Sequence, residues 1–518
     1  MKKSLRVLVL VLIGVFTLSF VLAGCGDKTE SGNAAAPGET QAVSATEGAT
    51  EPTEAPAINA ADLEPYELSW FYVGPNQQPD TDVVEEEIGK YLKDKINATV
   101  QLNLLDWGTY NDKISAMIAA GERFDICFTA SWMNDYVRNS QDGAFMVLDD
   151  YFKKELHKTY EILGDDFLSG SRIDGHNYGI PCNKEKARDY GFIYNKTLAD
   201  KYGFDMSTIK SFKDIEPMLK VIKEKEPHVI PLHFEQQGPV NFIPWNFENL
   251  MKNNGYATAI KDGKVINAFE SPEFAEAFAL SRDFYNKGYY RPDVLTAQDG
   301  PTVMKTGNWF AFSMNLKPDY DLEYQARYSD VNWVCAQQDV TEIRITNSDT
   351  MGSMQAISRT SKDPQRAAMF LELVNTDAYL SNLINYGIEG KHYTKVSDNV
   401  IRAVKDNQYG PNMQWMFGNQ MLTFLNETES PEKWQKYADF NKNAIPNEDL
   451  GFIFNIEPVQ TEMSAVANIV NEYFLALTCG AVDPAVKLPE MNAKLKAAGV
   501  EKIITEEQKQ YDAWKASK

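Results

Sequence analysis

The chain has 518 residues, 43% of them hydrophobic and 12% aromatic, which is enough for a sizeable core and excludes global disorder. Lys plus Arg number 51 against 73 Asp plus Glu, so the net charge is −22 and nucleic acid is excluded as a main partner, because little counterion release is available. Five cysteines with no CxxC pair and no Cys/His cluster exclude a zinc site and a disulfide framework, leaving room for one isolated disulfide.

The first 25 residues stand apart. Lys2, Lys3 and Arg6 form a basic start, residues 8–21 are mostly apolar, and Leu22-Ala23-Gly24-Cys25 closes the run. A membrane-spanning helix needs about 20 apolar residues, more than this stretch supplies. It resembles the signal peptide and lipobox of bacterial lipoproteins. That resemblance implies removal of residues 1–24, a diacylglyceryl group on Cys25, and a place on the outer face of the cytoplasmic membrane. Two acyl chains suffice for stable anchoring. Residues 25–62 complete this part. After Cys25 they are built of Ala, Thr, Glu, Gly, Pro and Ser with almost no large apolar side chains, and are expected to be a disordered spacer.

Folded sequence begins near Pro65 as alternating strand and helix. Residues 68–73 form an apolar, aromatic strand broken by Gly74 and Pro75. Val84, Ile88, Tyr91 and Leu92 recur at helical spacing, with Asp82 and Glu85 as a capping box. Val100, Leu102 and Leu104 alternate as a second strand. Tyr110, Ile114, Met117 and Ile118 make a second helical stripe that stops at Gly121, and residues 124–128 form a third strand. This order predicts an α/β fold with a parallel sheet. Ligands of such sheets sit outside the carboxyl ends of the strands, here the segments around Asn76, Trp107 and residues 129–134.

From there on, the motifs resemble those of extracellular solute-binding proteins of family 1, the maltose-binding type, which are receptors of ABC importers. Gly121-Glu122-Arg123-Phe124-Asp125-Ile126 is similar to the family's entry into the third strand, with Phe124 where proline is usual. Gly143-Ala144-Phe145 with Leu148-Asp149-Asp150, the run from Asp174-Gly175-His176-Asn177 to Pro181, Ile193-Tyr194-Asn195-Lys196, residues 303–312 and residues 363–371 follow in the family's order. Residues 385–393, Asn-Tyr-Gly-Ile-Glu-Gly-Lys-His-Tyr, resemble a signature of large Firmicutes-type lipoproteins, and residues 451–514 their uncharacterised C-terminal domain. The resemblance implies a two-lobe, type II periplasmic-binding fold over residues 63–450, with the ligand in the cleft. The chain is expected to cross between lobes near residues 182–190, near 343–350 and once more after Tyr393, and residues 451–518 to form a helical region completing the lobes.

A sugar presents an apolar C–H face and a rim of hydroxyls, so its site calls for aromatic platforms with polar neighbours. Several of the nine tryptophans lie at breaks in the pattern rather than inside apolar stripes. Trp132 follows the third strand among Thr129, Ser131 and Asn134, Trp245 lies in a Pro-rich loop, and Trp415 in a turn-rich one. Trp309 matches the family's stacking tryptophan. Polar contacts are expected from Asn76 and Gln77 after the first strand, Arg188 and Tyr190 at the first crossing, Glu235 and Gln236 after the strand ending at Leu232, and Glu389 in the lineage signature. Each has a plain structural alternative: the tryptophans as core, Arg188 as a surface ion pair, Glu389 as a turn residue.

Motifs of enzymes are missing: there is no GxSxG, Walker loop, GxGxxG or HExxH, and His228 and His233 fall on opposite faces of a strand. The remaining cysteines, Cys127, Cys182, Cys335 and Cys479, read as core residues. No catalytic residue, cofactor or metal is expected. The leading expectation is a lipid-anchored, monomeric receptor that captures an oligosaccharide by hinge closure and delivers it to two permease subunits of an ABC importer. The alternatives are a receptor of the same fold for peptides or other solutes, or for sensing, and more remotely a surface carbohydrate enzyme.

Overall fold

The computed structural model describes residues 59–74, 78–243, 257–328, 331–411 and 413–518; Cys25 and the linker through residue 58 lie outside them. Two sheets organise the described residues. In the first, strands Tyr66–Gly74, Ala98–Asp106 and Ile126–Thr129 are parallel, while Met354–Ile357 runs antiparallel between Ile126–Thr129 and Ile180–Pro181. Val100, Leu102 and Leu104 all face inward along Ala98–Asp106, as their alternation predicts. Helix Thr81–Ile96 buries Val84, Ile88 and Leu92, and helix Tyr110–Ala120 ends at Gly121, whose φ of +64° suits a residue without Cβ. The capping box is not formed. The helix starts at Thr81, so Asp82 lies inside the first turn, and Glu85 instead accepts the Leu102 N–H at 2.5 Å.

The family-like motifs prove to be braces. Asp125 is buried and accepts from Tyr66 Oη (2.7 Å), the Ser69 N–H (3.0 Å) and Ser361 Oγ (2.6 Å), locking the amino end of its strand. Asp149 accepts from the Asn177 N–H at 3.0 Å, joining the two motifs before Ile180–Pro181. In the 385–393 signature His392 is buried, along with Asn385, Tyr386 and Tyr393. The His392 Nδ1 accepts the Ile388 N–H at 2.8 Å, which leaves Nε2–H for Asp80 at 3.1 Å.

The second sheet has the order Cys335–Asp339, Asp189–Asn195, Trp309–Leu316, Ile230–Leu232, with only the last pair parallel. Helices Gln460–Thr478, Pro484–Ala498 and Val500–Ser517 pack with helix Pro272–Asn286 and the hairpin of Thr258–Lys261 and Lys264–Asn267 into a separate apolar cluster that includes Phe274, Phe278, Val466, Val470, Met491 and Leu495.

Three segments run side by side between the sheets. Arg188 and Arg344 exchange both backbone hydrogen bonds (2.9 and 2.8 Å), and Ile445 and Asn447 donate to Ile343 (2.9 Å) and Ile345 (3.0 Å). The middle one continues into a single helical turn, Asn347–Thr350, before it enters the first sheet. Cys127, Cys182, Cys335 and Cys479 are buried free thiols.

Candidate functional site

The carboxyl ends of the first sheet carry an aromatic cluster. Trp107 follows strand Ala98–Asp106 in a turn where Asp106 Oδ1 accepts the Gly108 N–H at 2.8 Å. Trp132 follows Ile126–Thr129 in a turn closed by the Ala130 N–H donating to Met133 (2.8 Å). Its indole N–H donates to the Gly352 carbonyl at 2.7 Å, and the Ser131 N–H donates to Met351 at 2.8 Å, so the second crossing holds the platform in place. Trp415 arrives from far along the chain, its carbonyl accepting from Ser353 Oγ at 2.9 Å.

The three indoles form a triangle of ring centroids 6.2 Å (Trp107–Trp132), 6.4 Å (Trp107–Trp415) and 6.1 Å (Trp132–Trp415) apart. Trp107 lies nearly parallel to both others, at 22° and 18°. Buried Phe128 lies 5.8 Å from both Trp132 and Trp415 and floors the cluster. Trp107 and Trp132 are 38% and 39% exposed, and Trp415 is partly buried. Two indoles this open, side by side with a third, make a contiguous aromatic patch of the kind that marks a ligand groove. Trp107 lies in a segment that the strand order puts on the ligand side, but the tryptophan pattern does not single it out. The same rule that finds Trp132, an aromatic directly after a parallel strand, points to it.

Trp309 must be corrected. It is fully buried, edge-on to Trp333 (5.1 Å, 83°), with its indole N–H donating to the Met304 carbonyl at 3.4 Å. It begins its strand, and the end next to the crossings is the other one, where Leu316 pairs with Asp189. Eight residues of strand hold it more than about 20 Å from that end. No ring face is left for a ligand. Thr129 and Asn134 are also corrected. Both are buried, with Thr129 Oγ1 donating to the Asn134 carbonyl (2.7 Å) and the Asn134 amide donating to the Phe128 carbonyl (2.9 Å) and accepting from Asn139 (2.9 Å). Their polar groups knit the turn under Trp132. Ser131 is half-buried beside it. Asn76, Gln77 and Trp245 lie outside the described residues.

In the second lobe, Glu235 and Gln236 are exposed just after Ile230–Leu232, with Glu235 at 3.3 Å from His233 Nε2. Gln237 next to them donates to Asn315 Oδ1 at 3.3 Å. Glu389 sits in an exposed turn 3.7 Å from Lys395, the structural alternative for that residue.

Arg188 Nη2 and Nε lie 2.5 and 2.6 Å from Asp349 Oδ1, tying the first crossing to the second. Arg188 and Tyr190 line a cavity of about 300 Å³ against the second lobe, together with Lys210, Phe242, Thr341 and Arg344. A second charged cluster joins the lobes beside the crossings. Lys317 lies 3.0 Å from Glu323 and 3.8 Å from Glu185, and Lys433 lies 3.0 Å from Glu323 and 2.5 Å from Glu429. Lys436 pairs with Asp319 at 2.6 Å. Burial opposes the charge on Glu185, but Lys184 and Lys317 hold its carboxyl down at about 2. Among the described residues no cluster of His, Cys, Asp and Glu is placed to hold a metal ion.

Residues 74–380 match the family described as bacterial extracellular solute-binding protein, and residues 449–516 a domain of unknown function (DUF3502). A carbohydrate ABC transporter substrate-binding protein of Streptococcus pneumoniae serotype 4 is 32% identical over 461 residues, covering 87% of this chain and 91% of that protein. The crystal structure of NgtS, an N-glycan transport solute binding protein of Streptococcus pneumoniae, superposes with a TM-score of 0.77 at 30% identity, covering 87% of this chain and 99% of that one. For NgtS in complex with Man1GlcNAc and Man5GlcNAc, both also 30% identical, the score is 0.69 (86% of this chain, 99% of that one) and 0.66 (88% and 99%).

Proposed function

The chain belongs to the bacterial extracellular solute-binding protein family, and from that premise we propose that it is the carbohydrate receptor of an ABC importer. The observation that carries this reading is the open triangle of Trp107, Trp132 and Trp415 at the carboxyl ends of the first sheet. Indole faces cover the C–H face of a pyranose, and Glu235, Gln236 and Gln237 at the corresponding end of the second sheet supply polar partners for hydroxyls. The similarity to NgtS favours a glycan built from mannose and N-acetylglucosamine as the first ligand to try.

Capture proceeds by closure of the lobes about the three paired crossings. A ligand drives closure only by contacts it makes in the closed form alone. Delivery to two permease subunits follows from the family's place in importers, with the receptor acting as a monomer. Cys25 tethers it by lipid at the outer face of the cytoplasmic membrane. Palmitate incorporation that persists in Cys25→Ala would reject the tether.

Calorimetry with Man5GlcNAc, followed by small-angle scattering with and without saturating glycan, tests the reading. Binding with a smaller radius of gyration in the complex is expected. Absence of binding to any neutral or acidic oligosaccharide would overturn the receptor assignment, and binding with unchanged scattering would overturn closure.

A further inference from the structure

The cavity beside the crossings differs in character from the indole triangle. Its charged lining is Arg188, Lys210 and Arg344 against Glu342, and with Asp349 paired to Arg188 one positive charge is left over. In a chain of net charge −22 this local excess is unexpected, and charges elsewhere on the surface are screened beyond about 8 Å. Arg344 is under-used. Its Nη2 meets Glu342 at 2.6 Å, Nη1 has only a 3.5 Å contact with Asn447, and its buried Nε–H has no acceptor among the described residues. A guanidinium has five N–H donors in a planar fork that matches a carboxylate. Thr341 adds a hydroxyl, and the rings of Tyr190 and Phe242, 6.3 Å apart, give the cavity an apolar wall.

The cavity is also within reach of the platform. Thr346 lines it, and Gly352, which receives the Trp132 indole N–H, is six residues further along the second crossing. Six residues span at most about 20 Å. One oligosaccharide can therefore touch both.

We propose that this cavity is a subsite for an acidic sugar residue, a uronic or sialic acid, whose carboxylate is received by Arg344 within the field of Arg188 and Lys210 while its ring lies against Tyr190 and Phe242. The proposal rests on the carbohydrate-receptor reading and narrows its substrate class. The volume of about 300 Å³ admits a single sugar residue rather than a chain, so the acid is a terminal or branch residue. Arg188 keeps its ion pair with Asp349 and contributes charge, not a vacant fork. Because both arginines belong to the crossings, the acid would also bias the hinge.

The test is calorimetry with glucuronate-, galacturonate- and sialate-terminated oligosaccharides, each beside its carboxyl-reduced neutral counterpart, in wild type and in Arg344→Gln. The acid form should bind about tenfold tighter or better, because a charge-assisted contact is made in a partly desolvated pocket. That advantage, read as the ratio of acid to neutral affinity within each protein, should shrink with added salt and vanish in Arg344→Gln. Arg344→Lys, which keeps the charge but loses the fork, should retain part of it and guards against misfolding of the glutamine variant. Equal affinity for acid and neutral forms in wild type, or an advantage that survives Arg344→Gln, overturns the proposal. Binding of neutral glycans alone overturns it and leaves the receptor reading standing. No binding of any glycan overturns both.

Discussion

Two groups of tryptophan, one in each lobe, teach how position along a strand decides what a ring does. Trp107 and Trp132 come just after the carboxyl ends of their strands, at the end of the first sheet that meets the second crossing, and remain 38% and 39% exposed. Trp309 opens its strand and Trp333 precedes another, so both stand at the end of the second sheet remote from the crossings and are buried against each other. The rings are chemically the same, and only their place before or after the strand differs. A parallel strand delivers its following loop to the ligand side of the sheet, while its first residue is delivered to the opposite side.

The largest expected effect separates the two groups by stability. Trp309→Ala leaves a cavity in a packed core and should cost about 3–5 kcal/mol, read as a lower melting temperature, while the folded fraction keeps its glycan affinity. Loss of affinity at unchanged melting temperature would return Trp309 to the ligand site.

Trp132→Ala is the mirror experiment. Stacking on an exposed ring is worth on the order of 1–3 kcal/mol by analogy with base stacking, so glycan binding should weaken roughly tenfold to a hundredfold. The fold loses the hydrogen bond to Gly352 and the ring contacts with Trp107, Trp415 and Phe128, but no closed cavity is left, so the unliganded melting temperature should fall less than in Trp309→Ala. A large drop in melting temperature with unchanged affinity would make the triangle a structural cluster.

An effect of pH sharpens the contrast at the crossing itself, where the second lobe buries an acid rather than a ring. Burial, with the Asp339 carboxylate nearby, pushes Asp189 up to about 8. The folded chain then keeps a proton that the unfolded chain releases near pH 4, so stability falls as pH rises from about 4 to about 8. Asp189→Asn should flatten that slope, making the variant more stable than wild type at pH 8 and indistinguishable near pH 4. Parallel melting curves for the two proteins across this range would show that Asp189 ionises normally.

Local elements were legible from the residues alone because they are written in short-range periods. The alternation at Val100, Leu102 and Leu104, the stripe from Tyr110 to Ile118 and the stop at Gly121 each depend on neighbours within a turn or two. Motifs such as the one ending in Asp125 were legible for a related reason: they hold backbone in place, so their residue types are dictated by hydrogen bonds at strand ends. The site was read only in part. Trp132 and Trp415 could be suspected from their turns, but Trp309 sits in an equally familiar motif and is core.

What the sequence by itself determined is the α/β order, the family and the segments from which a site could be built. Which side chains reach it was decided by the tertiary structure. Trp415 joins Trp107 and Trp132, and Arg188 meets Asp349 161 residues away, through pairings between distant segments. Whether an indole is a platform or a core residue depends on which end of its sheet faces the crossings. That is a property of strand direction and sheet order, and no local period records it.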